Sequence, residues 1–237
     1  MNSKRLPGKV MMKINRNYMI DYLIQRVQKI HLIDEIVIST TLNNKDDRLV
    51  NYCKKKNYKY FRGSEKNVLD RIYKTALNFN CDIIVFITAD CPIIDFRIIR
   101  KTIKFYLKNL KKFDYVGNSF IRSYPDGMDI HVFPFKTLKK NKNLVKSNIE
   151  KEHVTLGIKR RPKIFRIKNI IAEKSLFWPE LGLTLDQIED YNLIKKIILY
   201  FNKEKNYFFS CKEIVSLLKK KNNWVKINSK VKRKGDN

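Results

Sequence analysis

Segments of strand length alternate with segments of helical periodicity along most of this chain, and that alternation restricts the fold more than any other feature. The clearest strand is DIIVFIT (82–88), which is apolar on both faces, as a buried parallel strand should be. Shorter strand patterns occur at 36–40, 58–61 and 114–117. Helical patterns occur at 17–30, 46–56, 66–79, 95–109, 187–202 and 210–221. This order predicts an α/β, Rossmann-like domain with a mainly parallel sheet covered by helices.

The pattern is less regular between residues 118 and 185. It contains a turn, three strand patterns and one helical stretch: SYPDGMD (123–129), IHVF (130–133), 143–157, KIFRI (163–167) and LTL (183–185). We interpret this region as an inserted β-rich lobe that returns to the main sheet. The predicted α/β domain covers 1–218, and the basic segment 219–237 is expected to be a solvated, partly disordered tail.

The composition is that of a globular protein with a strong positive charge. Hydrophobic residues make up 43% of the 237 residues, and 51 Lys and Arg against 23 Asp and Glu give a net charge of +28. One interpretation is a protein that binds nucleic acid or an anionic surface. The other is a lysine-rich sequence with its charge spread over every solvated face, which is favoured because lysines occur in nearly every segment. Nucleic-acid or surface binding remains the alternative function.

Neither a membrane span nor a signal peptide is indicated. No segment approaches the roughly 18 consecutive apolar residues of a membrane helix, and the first residues lack an apolar core. We therefore expect a cytoplasmic protein. The four cysteines are scattered without a CxxC pair, which is typical of reduced thiols.

The chain starts with a short basic loop, SKRLPGKV (3–10). Arg5 can form a bidentate pair with a phosphate, Lys9 offers a point charge, and Gly8 lets the backbone approach closely. This loop could therefore bind a triphosphate. It could also be an ordinary exposed turn, since Pro and Gly mark turns in most sequences.

Two aspartates follow apolar strand patterns. Asp90 lies after the strand at 82–88, and Asp186 lies after LTL and before a helix. Ligands of open α/β sheets bind beyond the carboxyl ends of strands, where two carboxylates can hold Mg²⁺ beside phosphates. The structural alternatives are a turn cap at Asp90 and a helix N-cap at Asp186, with Glu189 completing a capping box.

The segment FRGSEKNVLDR (61–71) predicts a strand-to-helix turn at Gly63 and Ser64. Its backbone and hydroxyl groups could face a nucleotide base, with Arg71 nearby. The structural alternative is that Ser64 caps the helix.

A second turn, YPDGMDIHVF (124–133), is tight at Asp126-Gly127. We expect this turn to shape a sugar pocket, in which Tyr124 and Asp129 reach hydroxyl groups and Gly127 sets the backbone.

These motifs, taken in order, resemble the cytidylyltransferase family that includes the CMP-Kdo and CMP-acylneuraminate synthetases, and most of all its spore-coat-polysaccharide branch. The resemblance spans about residues 1–200 and is carried by SKRLPGK (3–9), DEIVISTT (34–41), FRGSEKNVLDR (61–71), TADCPIID (88–95), YPDGMDIHVF (124–133), EKEHVT (150–155) and LTLDQIED (183–190). The ordered set is far more specific than the basic loop alone.

The resemblance implies a nucleotide-diphospho-sugar transferase fold and an enzyme that uses CTP and Mg²⁺. It transfers CMP to an acidic sugar and releases pyrophosphate, in surface polysaccharide biosynthesis, with a homodimer as the plausible active form. Arg5 and Lys9 match the catalytic triphosphate loop, and Asp90 and Asp186 match the metal ligands. Gly63, Ser64 and Arg71 match the nucleotide-side turn. Together with the sugar turn, these residues make up the predicted active site.

One departure from the family pattern concerns the first strand. Relatives begin with an apolar strand that runs into the basic loop, whereas here Met1 almost adjoins that loop. The first strand of such a sheet is central, so its absence would leave neighbouring strands unpaired on one side. We therefore expect the first strand to be missing from this chain, unless VMMKI (10–14) takes its place in the sheet. A missing first strand gives the other alternative, a truncated and inactive family member.

Overall fold

The computed structural model of the chain describes residues 5–233. Their strands are β1 (Lys13–Ile14), β2 (Asn17–Tyr18), β3 (Val37–Thr41), β4 (Lys59–Gly63), β5 (Ile83–Phe86), β6 (Tyr115–Gly117), β7 (His131–Pro134) and β8 (Ile167–Asn169). Their helices are α1 (Met19–Val27), α2 (Asp47–Lys56), α3 (Val68–Asn78), α4 (Phe96–Lys108), α5 (Phe135–Leu144), α6 (Asn148–Glu152), α7 (Leu156–Lys159), α8 (Ile188–Lys203), α9 (Cys211–Lys220) and α10 (Asn222–Val225).

The strands form two small sheets and one larger sheet. β1 and β2 form an antiparallel hairpin, and β3 pairs with β4 in parallel, from Val37 opposite Lys59 to Thr41 opposite Gly63. The four-stranded sheet has the order β5-β7-β6-β8. In it β7 is antiparallel to both of its neighbours, whereas β6 and β8 are parallel. The predicted α/β class is confirmed, and the larger sheet is mixed because β7 enters between β5 and β6.

β3 and β5 each keep one unpaired edge within residues 5–233. β3 pairs only with β4, and β5 pairs only with β7, so the parallel pair and the larger sheet are not hydrogen-bonded to each other in this part of the chain. The segment VMMKI does not fill a place between them. Its first residues lie in a 3-10 turn at Lys9–Met11, and its last two form β1 of the hairpin.

The region 118–185 contains more helix than the sequence pattern indicated. α5, α6 and α7 lie between β7 and β8, and the residues predicted as strand LTL form no strand; the preceding Gly182 makes an isolated bridge to Asp126. The expectation of a β-rich lobe was therefore wrong for the described residues. In α5 the buried residues Leu138 and Asn141 are three positions apart, which is helical spacing.

The helices bury a main core and a smaller second core. In α8, Ile194, Ile197, Ile198 and Phe201 repeat at helical spacing and belong to the main core. The second core lies around Phe133 and includes Leu69, Leu138, Ile158 and Phe165. None of the helices within residues 5–233 has the length and apolar content needed to cross a membrane.

The segment after residue 218 is packed on the domain as far as Arg233. α9 continues to Lys220, and Trp224 of α10 meets Tyr200 of α8 edge-on, with 6.2 Å between ring centroids. The side chain of Asn228 is only 4% exposed and donates to the carbonyl of Gly182 at 2.9 Å. The expectation of a solvated tail was therefore wrong for 219–233; residues 234–237 lie outside the described part.

Asp95 holds two helix N-termini together. Its carboxylate accepts from the N–H of Arg97 at the start of α4, at 2.9 Å, and from the N–H of Cys211 at the start of α9, at 2.8 Å. Asp95 is 3% exposed. Asp95 is thus the N-cap of α4, and the same side chain links α4 to α9.

Replacing Asp95 with Ala should lower the free energy of unfolding by about 1–3 kcal/mol, because two N–H groups lose their buried acceptor. Urea unfolding followed by circular dichroism measures this change. Asp82→Ala removes an exposed carboxylate and is the matched control. Equal unfolding midpoints for the two variants would contradict the linking role of Asp95.

Candidate active site

Asp90 and Asp186 are brought together by their own backbone. The N–H of Leu185 donates to the carbonyl of Asp90 at 2.8 Å, so the loop after β5 is fixed to the loop before α8. The two residues are 96 positions apart in the sequence (186 minus 90). This contact places two carboxylates at the same edge of the domain.

The ammonium group of Lys9 lies between these carboxylates. Lys9 Nζ is 2.7 Å from Asp90 Oδ2 and 3.0 Å from Asp186 Oδ1. The side chains of Lys9, Asp90 and Asp186 are 15%, 22% and 15% exposed. Burial by itself lowers the pKa of Lys9, but attraction and hydrogen bonds from the two carboxylates outweigh it, so the pKa is raised above its ordinary value of 10.5.

Arg5 contacts the same cluster from the start of the basic loop. Its Nη2 lies 2.8 Å from Asp186 Oδ2, and its Nη1 donates to the carbonyl of Lys232 at 3.0 Å. Gly8 has φ 70°, a left-handed conformation that glycine adopts without strain, and it begins the 3-10 turn that carries Lys9. In the described part of the basic loop, Arg5 and Pro7 are exposed, but the cationic groups of Arg5 and Lys9 are held against the carboxylates.

Asp186 does not cap the helix that follows it. The N-cap of α8 is Gln187, and the carboxylate of Asp190 accepts from the N–H of Gln187 at 2.9 Å. The alternative in which Asp186 caps α8 with help from Glu189 was therefore wrong. Both oxygens of Asp186 pair with the cations of the basic loop.

The two carboxylates fit a magnesium ion by the chemistry of their donors. They supply hard oxygen ligands that already meet at a single positive charge, the Lys9 ammonium. Within residues 5–233 there is no group of three or more His, Cys, Asp or Glu side chains that could hold a metal. Mg²⁺ is commonly bound through one or two carboxylates, with water and substrate phosphates completing its shell, so two carboxylates suffice.

Gly63, Ser64 and Arg71 form a tightly packed turn between β4 and α3. A Cβ at Gly63 would lie 2.8 Å from Cγ of Arg71, so only glycine fits without a shift. Arg71 Nη1 donates to the carbonyl of Ser64 at 2.6 Å, and Ser64 Oγ accepts from the N–H of Asn67 at 3.0 Å. Among residues 5–233, the buried Nε of Arg71 has no hydrogen-bond partner. The turn is thus built by its own contacts, with one buried donor left over.

The turn at 124–129 divides into a core residue and site residues. Tyr124 is 3% exposed and lies in the main core, where burial raises its pKa to about 12. That position does not support contact with a sugar hydroxyl. Gly127 has φ 104°, and a Cβ there would lie 2.7 Å from the backbone of Leu183. Gly127 therefore packs this turn against the loop that leads to Asp186.

The carboxylate of Asp129 is 23% exposed and lies 3.7 Å from the guanidinium of Arg122. Asp129 is therefore the member of the predicted sugar-binding set whose side chain reaches solvent.

Asp190, Asn228 and Arg233 support the site but were not predicted from the sequence. Asp190 Oδ2 accepts from the N–H of Asp186 at 3.0 Å, and its Oδ1 accepts from Asn228 at 2.7 Å and Arg233 at 2.9 Å. LTLDQIED contains Asp190, so its four-residue spacing from Asp186 was the available signal. Asn228 and Arg233 fall in a basic segment without a distinguishing pattern.

Comparison with known proteins decides the family. A family model described as cytidylyltransferase matches residues 1–214. The chain belongs to the cytidylyltransferase family. This confirms the resemblance inferred from the motifs, and it makes the chain a nucleotidyltransferase by family.

Individual relatives agree with this assignment. An uncharacterised protein of Methanocaldococcus jannaschii is 32% identical over 232 residues, covering 98% of this cytidylyltransferase and 92% of the relative. The spore coat polysaccharide biosynthesis protein SpsF of Bacillus subtilis is 29% identical over 222 residues, covering 92% and 90%.

Solved structures agree with the fold. A cytidylyltransferase from Leptospira borgpetersenii superposes with a TM-score of 0.89 at 29% identity, over 95% of this chain and 92% of that one. The CMP:2-keto-3-deoxy-manno-octonic acid synthetase complexed with CTP gives a TM-score of 0.64 at 14% identity, over 84% and 95%, and so supports the fold alone. Family membership accounts for the loops that carry Asp90 and Asp186, whereas the alternative of a basic binding protein leaves these loops unexplained.

The Lys9 ion pairs should stabilise the protein at neutral pH and cease to do so in alkali. Since the folded pKa of Lys9 is above 10.5, its contribution is complete below that pH and is lost as the pH rises through the raised pKa. Lys9→Met should therefore lower the free energy of unfolding at pH 7, by about 1–3 kcal/mol.

This difference between wild type and Lys9→Met, measured by urea unfolding, should shrink in alkali. Lys66→Met removes an exposed lysine and is the control. A difference that stays constant across the alkaline range would count against Lys9 as the cation of this cluster.

Proposed function

We propose that this chain transfers CMP from CTP to an acidic sugar with release of pyrophosphate, in a Mg²⁺-dependent reaction of surface polysaccharide biosynthesis. The observation that carries the proposal is the convergence of Arg5 and Lys9 on Asp90 and Asp186 in a cytidylyltransferase. Two cations and two carboxylates at one edge are the groups that a triphosphate and its metal require.

Asp90 and Asp186 are the residues that would hold Mg²⁺. The ion would supply positive charge beside the phosphate oxygens, where charge builds up during transfer. With Asp90 and Asp186 holding the ion, Arg5 and Lys9 would pair with the phosphates of CTP. Arg5 suits two phosphate oxygens at once, and Lys9 suits one.

The reaction is a displacement at the α-phosphate of CTP. A hydroxyl oxygen of the sugar forms the new bond to the α-phosphorus, the bond from that phosphorus to the bridging oxygen breaks, and pyrophosphate leaves with the electron pair. The hydroxyl proton passes to solvent or a nearby base. The residues named here act by charge and position, so the protein forms no covalent intermediate.

The nucleotide and sugar portions are assigned to the two turns. Gly63, Ser64 and Arg71 would form the nucleotide side, with the unpartnered Nε of Arg71 as a donor for the ligand. Asp129, positioned by the turn at Gly127, would accept from sugar hydroxyls. The acidic character of the sugar is supported by the family resemblance, and the polysaccharide pathway by the name of the Bacillus relative. A homodimer and a cytoplasmic location remain predictions.

Pyrophosphate release from CTP with a panel of sugars tests this proposal. Release should require CTP, an acidic sugar such as a keto-deoxy acid or an acylneuraminate, and Mg²⁺, and it should stop with chelator and resume with added Mg²⁺. Asp186→Asn should lower turnover by about 100-fold or more, because it removes a charged ligand from the site. Asp82→Asn, which alters an exposed carboxylate, should keep full activity.

Two results would contradict parts of the proposal. Turnover with neutral hexoses but not with acidic sugars would reject the sugar class and keep the nucleotidyl transfer. No CTP binding by calorimetry, with a chain that melts cooperatively, would reject the enzyme and favour the inactive family member.

A further inference from the structure

The carboxylate of Asp190 is completely buried and accepts four hydrogen bonds. It is 0% exposed. Its Oδ2 accepts from the backbone N–H groups of Asp186 and Gln187, at 3.0 and 2.9 Å. Its Oδ1 accepts from Asn228 Nδ2 and Arg233 Nη2, at 2.7 and 2.9 Å. One oxygen therefore fixes the backbone of a proposed metal ligand, and the other is held by the last described residues of the chain.

Arg233 is the cation that accompanies this buried charge. A carboxylate removed from water is strongly unfavourable unless it is paired and hydrogen-bonded. Arg233 Nη1 also lies 3.5 Å from Asp126 Oδ2, so the same guanidinium reaches the turn that carries Gly127. A Cβ at Gly182 would lie 1.6 Å from Arg233 Nη2, which shows how closely the guanidinium packs on the loop before Asp186.

The C-terminal segment Asn228–Arg233 contacts three parts of the site. Arg233 contacts the 181–190 loop and the turn at Asp126, and the carbonyl of Lys232 accepts from Arg5 at 3.0 Å. Asn228 adds a bond to the carbonyl of Gly182 at 2.9 Å. The segment thus supports two groups that the proposed reaction would use, the carboxylate of Asp186 and the guanidinium of Arg5.

We propose that Asn228 and Arg233 are positioning residues for nucleotidyl transfer, which act through Asp190 on the metal ligand Asp186. This inference rests on the proposed function. Outer partners of a metal ligand orient it, and their loss commonly weakens metal binding or activity by about 10–100-fold. The segment that the sequence marks as a basic tail is, on this inference, part of the active site.

The test compares four full-length proteins: wild type, Arg233→Met, Arg233→Lys and Lys230→Met. Arg233→Met keeps an unbranched apolar stem and removes the guanidinium group with its charge. Arg233→Lys keeps the charge but loses the planar pair of donors. Lys230→Met removes an exposed lysine of the same segment and is the control for net charge.

Binding of CTP in the presence of Mg²⁺ is measured by titration calorimetry, below the melting temperature of every variant. Arg233→Met should bind about tenfold more weakly and need a higher Mg²⁺ concentration for half-maximal turnover, with the KM for the sugar unchanged. Arg233→Lys should recover part of the loss, and Lys230→Met should match wild type. Wild-type binding by Arg233→Met, even with a lower melting temperature, would overturn the proposal and leave Arg233 as a structural brace.

Hydrogen exchange separates this proposal from the proposed function. Exchange of the backbone amides of Asp186 and Gln187, followed by mass spectrometry of a peptide covering 183–190, requires no substrate. Faster exchange in Arg233→Met, but not in Lys230→Met, supports positioning through Asp190 even if wild type fails to bind CTP, a result that would reject only the proposed function. Unchanged exchange in Arg233→Met rejects the positioning role.

Discussion

The site depends on one ammonium group placed between two carboxylates. Asp90 and Asp186 are mostly buried, and two anions so close together repel each other unless a cation separates them. Lys9 supplies that cation, and its contacts hold the basic loop against the strand-end loops. Asp186 also pairs with Arg5, so two cations of the basic loop face two carboxylates. The positive and negative charges of this cluster therefore balance each other in the fold.

The position of Asp90 could be predicted from a local pattern and one general rule. The apolar run at 82–88 identifies β5 without reference to any other segment, and Asp90 follows it, where ligands of such sheets bind. Asp186 follows no strand, since none forms at 183–185, and the hydrogen bond from Leu185 to the carbonyl of Asp90 brings it to the same place. Most helices were predicted for the same reason, since α4 and α8 show their buried face as a repeat within a dozen residues.

Other features could not be predicted because they depend on contacts between distant segments. β7 is antiparallel to its neighbours, but its short apolar pattern would suit a parallel strand equally well. Tyr124 has a polar hydroxyl that suits a pocket, but tertiary packing buries it. Asp190, and not Glu189, completes the capping box at the start of α8. Its carboxylate is also held by Asn228 and Arg233, which lie 38 and 43 residues further along the chain.

Both ends of the described chain meet at the site, which has a consequence for folding. Arg5 and Lys232 are in contact across a separation of 227 residues. Contacts between such distant residues carry a large loop-closure cost and form only when the intervening structure is in place. The charged cluster is therefore complete only in the fully folded domain. A ligand that binds this cluster binds the native state alone, so it stabilises the entire domain and not just the loops it touches.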